Sequence, residues 1–293
     1  MLKFDIVKEE NKCRKLWNKF SPNKILWDLW DFRYCFHDTD FSFHFIVGFE
    51  NNEVAGLIPL VYDKIDEIYC YFGSDFPEQN KFFLKDKKLL SEFLVQCPKG
   101  TKIYYIDKNE NEYYNFNFKE KRYFLNFKKY DKSIENYLKT FTKKHRKNLR
   151  YDLKKLEEKG YKIKVNETGD FEKLAEFNKK KFGEESDYSD ESFVGGMKRL
   201  VETAQKMEIL HMMSIQLNGK TEAVGVGVIY NKVYYVIGSG RNIEIKNLGK
   251  LLIFEQIKSA LGQNCDEVDF LSTESGWKEL WNFDSEQMYE FLK

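Results

Sequence analysis

Asn247-Leu248-Gly249 runs straight into an apolar stretch, Lys250 to Leu261. A helix that starts there has first-turn N–H groups without intrahelical partners, which makes the loop and helix end a seat for an anion. Gly249 would let the backbone approach a phosphate closely. The same glycine serves equally as a plain turn before a helix. A second constellation is cationic. From Lys139 to Lys164 there are eleven Lys or Arg against three Asp or Glu, eleven minus three giving plus eight. Ile134, Leu138, Phe141, His145, Leu149, Leu153 and Leu156 step by three or four and define a buried stripe of a helix or helix pair. Ser133 or Thr142 would cap it and Gly160 would end it. Opposite the stripe stand Lys143, Lys144, Arg146, Lys147, Arg150 and Lys154, which form either a solvated face or a surface for anionic groups.

Other chemistries find little support. His37, His44, His145 and His211 are unclustered and lack metal-ligand spacing. Ser/His/Asp chemistry has no nucleophile elbow to start from. Five scattered cysteines, Cys13, Cys35, Cys70, Cys97 and Cys265, with no C-x-x-C, suggest neither a disulfide framework nor zinc and fit a reducing, cytoplasmic setting. Forty-eight basic residues face forty-seven acidic ones, so no bulk attraction to nucleic acid or anionic lipid is implied. Without an apolar run of about 18 residues, or a basic-then-apolar leader at Met1, neither a spanning helix nor a signal peptide is expected.

The elements that must position these residues follow from period and turn chemistry. Lys8 to Phe20 reads as a helix, and Ile25 to Phe36 as an aromatic helix or loop whose Trp17 neighbour, Trp27, Trp30 and Phe32 belong to a core. His44–Phe49, Val54–Tyr62 and Glu67–Gly73 form an antiparallel meander, followed by a helix (Lys87 to Val95) and a strand (Lys102 to Ile106). The order recurs as Ile209–Leu217, Ala223–Tyr230 and Val233–Ser239, then the helix from Lys250 and a strand, Cys265 to Leu271. The second meander turns at Asn218-Gly219, a strong hairpin signal. EVAG at Glu53 matches EAVG at Glu222, and IYCYFGS at Ile68 matches VYYVIGS at Val233, so two copies of one module are expected. Only the second copy has a glycine at its helix start. Helices Phe171–Phe182 and Phe193–Ala204 flank an acidic loop, Gly183 to Ser192, expected to be exposed and mobile or to act as a lid.

The strand, loop, helix and strand from Val233, ending in DFLSTESGWKELWNF, resemble the second half of a GNAT acyltransferase domain, within the FemAB-related group of Fem-type peptidyltransferases. The spaced basic pattern HRKNLRYDLKKLEEKGYKI is similar to the helix ahead of their second module. The resemblance implies that the two last strands splay to admit a thioester, with the acyl-CoA pyrophosphate at Asn247, Leu248, Gly249, Lys250 and Leu251, joined by Arg241. Acyl transfer to an amine needs a deprotonated nucleophile, a donor for the developing oxyanion and an acid for the thiolate. Tyr234, Tyr235, Asp269, Ser272, Thr273 and Glu274 lie at the strand ends, with Tyr235, Asp269 and Glu274 as the catalytic candidates. Lys278 follows Trp277 as a lysine follows an aromatic in the relatives, where it stabilises the reacting carbonyl or holds an anionic donor; as one lysine among many it would be a surface residue. Trp277 and Trp281 would pin its segment. Arg146, Arg150 and Trp277 are the expected substrate-binding residues. Asp269 would serve equally well as a cap on a neighbouring loop.

The expectation is an α/β (α+β) protein of tandem GNAT-like modules, each a mixed, mostly antiparallel sheet flanked by helices. Residues 1–130 would be a degenerate copy and 131–293 the donor-binding copy, with a basic linking helix at 133–160. The activity would be transfer from acyl-CoA, acetyl-CoA first, to a small-molecule or peptide amine, without a metal. The alternative is a Fem-type aminoacyl-tRNA-dependent transferase, whose basic helix would contact RNA phosphates.

Overall fold

A computed structural model of the chain describes residues 2–272 and 276–293, so Thr273 and the catalytic candidate Glu274 lie outside the described residues. The first elements are β1 (Lys3–Val7), α1 (Glu10–Phe20), α2 (Trp30–Tyr34), β2 (Phe41–Glu50), β3 (Glu53–Asp63), β4 (Ile68–Tyr71), β5 (Phe83–Leu84), α3 (Leu90–Gln96), β6 (Thr101–Ile106) and β7 (Asn117–Asn126). Then follow α4 (Ile134–Leu138), α5 (Lys143–Glu157), β8 (Lys162–Val165), α6 (Phe171–Phe182), α7 (Glu191–Lys206), β9 (Met213–Leu217), β10 (Lys220–Tyr230), β11 (Val233–Arg241), α8 (Leu248–Gly262), β12 (Glu267–Asp269) and β13 (Asp284–Leu292). Contacts divide the chain into two units, Met1–Arg122 with Glu286–Lys293, and Tyr123–Ser285. The last strand therefore groups with the first unit, which reading the chain in order does not anticipate.

In the first unit β1, β2, β3, β4, β6 and β13 lie side by side, antiparallel except for the β4/β6 pair. Aromatic side chains fill its core: Trp17 of α1 meets Tyr71, Phe72 and Phe83 edge-on, with ring centroids 6.4, 5.4 and 4.9 Å away. Such pairs contribute about 0.5–1.5 kcal/mol each beyond their buried area. Where β4 stops, the chain turns through Gly73 and returns, so that Asn80 bridges Ile106 on β6, its N–H donating to Tyr105 O at 2.8 Å and its Nδ2 to Tyr104 O at 2.6 Å. The space beside the end of β6 is filled by the unit's own backbone.

In the second unit the order is β7, β12, β11, β10, β9, β8, with β11 and β12 parallel and the other pairs antiparallel. The Asn218-Gly219 hairpin forms with both residues at positive φ, 50° and 77°, as that dipeptide favours. The basic segment folds as the helix pair α4 and α5. Ser133 accepts from Asn136 N, Thr142 accepts from His145 N, and Gly160 follows at φ 73°. α8 covers one face of the sheet, with Leu252 and Gln256 against Gly225, and α6 and α7 cover the other, with Leu174 against Gly240 and Met197 near Gly238. The mixed, mostly antiparallel strands of each unit, flanked by helices, agree with the expected fold class.

Candidate active site

β11 and β12 keep register at Val233↔Glu267, Tyr234↔Val268 and Tyr235↔Asp269, and there the pairing stops. β11 runs on to Arg241, whereas the chain after β12 bends away at Leu271, which has φ 58°. A leucine in the left-handed region is uncommon and must be held there by its surroundings. Asp269, 1% exposed, accepts the Leu271 N–H at 2.8 Å through Oδ1. Lys278, 5% exposed, donates to Phe270 O at 2.8 Å, to Leu271 O at 3.1 Å and to Ser272 O. Its ammonium also lies 5.4 Å from the Tyr123 ring and 5.9 Å from the Trp277 ring. Three carbonyls match the three N–H donors of an ammonium. Lys278 is thus buried and not a surface lysine, and it gathers the strand end into the bend. Trp277 packs edge-on to Phe270 at 5.9 Å and supports the same bend.

β11 is irregular opposite Val226 and Gly227: Val226 pairs with Gly238 and Gly227 with Val236, leaving Ile237 as a bulge. A bulge releases backbone groups from the ladder. Tyr235 is buried at 1% exposure, one residue pair before this point. Tyr234 is fully buried on the other face and donates to His211 O, a core role.

The acidic loop is exposed, as expected, except at Ser186 and Tyr188. It winds into two short 3-10 turns, Gly183–Glu185 and Asp187–Ser189, and Tyr188 is 6% exposed with its ring 6.3 Å from Phe171 and 5.3 Å from Phe193. A Cβ added at Gly238 would lie 2.6 Å from the Tyr188 hydroxyl and 3.4 Å from the Met197 methyl, so glycine is what lets the hydroxyl reach the strand. Among the described residues that hydroxyl has no hydrogen-bond partner, and burial with the nearby Asp187 raises its pKa well above the ordinary tyrosine value. Tyr188 was missed in the sequence, where one aromatic in an acidic stretch is the only signal.

At the far end of β11 the expected seat is built differently from its sequence reading. The left-handed residue is Asn247, φ 65°, and Gly249 is already the second residue of α8. A Cβ at Gly249 would lie 2.7 Å from Arg241 Nε, so the glycine admits the Arg241 side chain over the first turn. Leu251 N bonds Asn247 O at 3.2 Å and Leu248 N bonds Ile245 O at 3.4 Å, while among the described residues the N–H groups of Gly249 and Lys250 have no acceptor. Lys181, also missed, lies 4.1 Å over the Phe182 ring, and desolvation and Arg241 hold it below the ordinary lysine value. Neither cation has a carboxylate partner among the described residues, although Lys180 ties α6 to Glu244 of the loop at 2.6 Å. Lys250 itself is bonded to Asp152 of α5 at 2.6 Å.

The substrate-binding arginines stand apart from this arrangement. Arg146 Nη1 donates to Leu138 O at 3.2 Å and Arg150 pairs with Glu135 at 2.6 Å, so both fasten α5 to α4. Among the described residues neither has a hydrogen bond or ion pair to the splayed strands.

Residues 143–279 match the model of the acetyltransferase (GNAT) domain. The chain carries a GNAT acetyltransferase domain. That domain takes in the bend at Asp269, the Arg241/Gly249 contact and Lys278. In three dimensions the chain is similar to the crystal structure of FemX, at 12% identity and a TM-score of 0.64, with 98% of this chain and 96% of that one covered. It is also similar to the C-terminal domain of a putative lysylphosphatidylglycerol synthetase from Agrobacterium fabrum, at 8% identity and a TM-score of 0.60, over 96% and 92% of the two chains. A tandem GNAT protein from the clavulanic acid biosynthesis pathway aligns at 7% identity and a TM-score of 0.58, over 99% and 98%. At these identities the likeness is one of fold. No curated protein matches the sequence. The GNAT domain makes the protein an N-acyltransferase. Among the described residues no helix is long and apolar enough to cross a membrane, and no group of His, Cys, Asp and Glu forms a metal-binding cluster.

Proposed function

We propose that the second unit transfers an acyl group from acyl-CoA to an amine. The observation that carries this reading is the seat at the end of the splayed strand: Arg241 lies over Gly249 beside two open amides and Lys181. Helix-end amides and two cations without carboxylate partners suit a pyrophosphate. A thioester arm leading from that seat along the unpaired edge of β11 would reach the Ile237 bulge. There a backbone N–H freed from the ladder is the candidate donor to the carbonyl oxygen. The amine nitrogen attacks the carbonyl carbon and loses a proton, the C–S bond breaks, and the thiolate takes up a proton.

Tyr188 is our candidate for that proton donor, because its hydroxyl is held protonated, is unpartnered and touches the strand at Gly238. Lys278 and Asp269 act by position, keeping β12 away from β11 so that the edge stays open. Arg146 and Arg150 are assigned to holding the helix pair together.

Binding of CoA measured by calorimetry, with Gly249→Val as the control, tests the proposal. Wild-type binding that vanishes in the variant supports it. No binding of CoA, with a salt-sensitive response to aminoacyl-tRNA, would overturn it.

A further inference from the structure

Apart from Tyr188, the acidic loop between α6 and α7 has no part in the chemistry above. Glu184, Glu185, Asp187 and Glu191 are exposed, and among the described residues none of their carboxylates has a hydrogen bond or a cationic partner. Asp190 is used locally, its Oδ1 accepting Ser192 N at 2.8 Å as the cap of α7. Of the cations that end α6, Lys180 pairs with Glu244, and Lys181 lies over Phe182 beside Arg241. Like charges this close together repel one another, and no contact of the loop offsets that repulsion.

A second observation lies beneath the carboxylates. Ser186 and Tyr188 pin the loop to the unit's core, and Ser189 Oγ donates to Gly183 O at 3.1 Å across the two turns. Tyr188, 6% exposed, sends its unpartnered hydroxyl to Gly238, next to the Ile237 bulge. Its backbone therefore sits among the carboxylates while its hydroxyl sits at the strand, and Asp187 is near enough to act on that hydroxyl electrostatically. A buried hydroxyl with its acceptor lone pairs unused is matched by a ligand N–H. Three residues further along β11, about 10 Å at the rise of a strand, stands Arg241 with Lys181 beside it. The strand thus presents cations at one point and carboxylates at the other. An anionic molecule is drawn to the first and repelled from the second, and a cationic one the reverse.

We propose that the acceptor is a polycationic amine, whose reacting nitrogen meets β11 beside the Tyr188 hydroxyl while a further ammonium or guanidinium sits on Glu184, Glu185 and Asp187. The inference rests on the reading of the second unit as an amine acyltransferase with its donor at Arg241, and adds the charge class of the acceptor. A monoamine of the same reach fills only the inner point, so selection comes from charge and weakens as salt screens it.

The test is acyl transfer from acetyl-CoA, followed as thiol release, to spermidine and to n-butylamine. It compares the wild type with the triple variant Glu184→Gln/Glu185→Gln/Asp187→Asn, whose exposed positions leave the packing intact; retained CoA binding in calorimetry shows the variant to be folded. Wild-type kcat/KM for spermidine should exceed that for n-butylamine about tenfold or more at low salt. The ratio should fall toward one in the variant, and likewise in the wild type at about 0.5 M salt. A wild-type ratio near one, or a ratio that persists in the variant, overturns the proposal and leaves the donor reading in place. Transfer to neither amine by a protein that binds CoA also overturns it, whereas failure to bind CoA removes the donor reading as well.

Discussion

Tyr235 and Asp269 face each other as the last paired residues of β11 and β12. Beyond them β11 runs on through the Ile237 bulge and the other strand is bent by Asp269 itself, whose carboxylate takes the N–H of Leu271. Replacing Asp269 with Ala removes that acceptor from a left-handed leucine and should cost about 1–3 kcal/mol. Asp269→Asn keeps an oxygen in place and should retain most of the stability. Urea unfolding of the pair checks this, and equal losses in both would mean that charge rather than geometry matters.

Lys278→Met should be more damaging. The carbonyls of Phe270, Leu271 and Ser272 would lose the ammonium together, Leu271 O keeping only the Tyr123 N–H, a loss of about 2–4 kcal/mol. Arginine should not rescue, because its planar fork cannot point three ways at once. A direct catalytic role would appear as lost rate at unchanged unfolding midpoint, which is the outcome that would refute the positioning assignment.

For Gly249→Ala, the added carbon meets Arg241 Nε at 2.7 Å and displaces the guanidinium. CoA affinity should fall about as far as in Arg241→Ala, and combining the two should add little, since both remove one contact. Additive losses in calorimetry would show that the glycine and the arginine act separately.

Tyr188→Phe keeps the ring between Phe171 and Phe193 and removes only the hydroxyl. Stability should hold, because the hydroxyl has no hydrogen-bond partner among the described residues to lose. Turnover should drop roughly 10–100-fold with donor affinity unchanged, in the range of a proton donor. An unchanged rate would remove Tyr188 from the chemistry.

His211 supplies a pH signature. Its ring bonds Ser259 Oγ at 2.6 Å, and burial holds its pKa below the ordinary histidine value. Between that lowered pKa and the unfolded one, about 6.5, the unfolded chain binds a proton that the folded chain does not. Stability is therefore complete above the unfolded value and declines as pH falls through this window. His37 and His44 shift in the same direction by burial. Urea midpoints at pH 7.5 and 5.5 should differ less in His211→Gln than in the wild type.

Much of the arrangement is legible in the chain because strand and helix periods and turn dipeptides are local. The Asn218-Gly219 hairpin, the Ser133 and Thr142 caps and the helix after Asn247 all follow from neighbours in sequence. What escapes is long-range. β1, β7 and β13 were not read as strands, and β13 owes its place to β6, far back in the chain. A lysine that bonds three carbonyls carries no spacing signal, so the sequence singles out Lys278 by its aromatic neighbour and not by the contacts it makes. Arg146 and Arg150 looked available because a sequence does not show which carbonyl or carboxylate will occupy them. Tyr188 and Lys181 lie outside any motif, and only their contacts with Gly238 and Arg241 distinguish them.

The return of Asn80 to Ile106 in the first unit bears on stoichiometry. A module whose gap is plugged by its own backbone has nowhere to load a second thioester. With acyl-CoA as the proposed donor, the chain should therefore saturate at one equivalent of CoA, and between two transfers to one acceptor the enzyme must release spent CoA and bind a fresh donor.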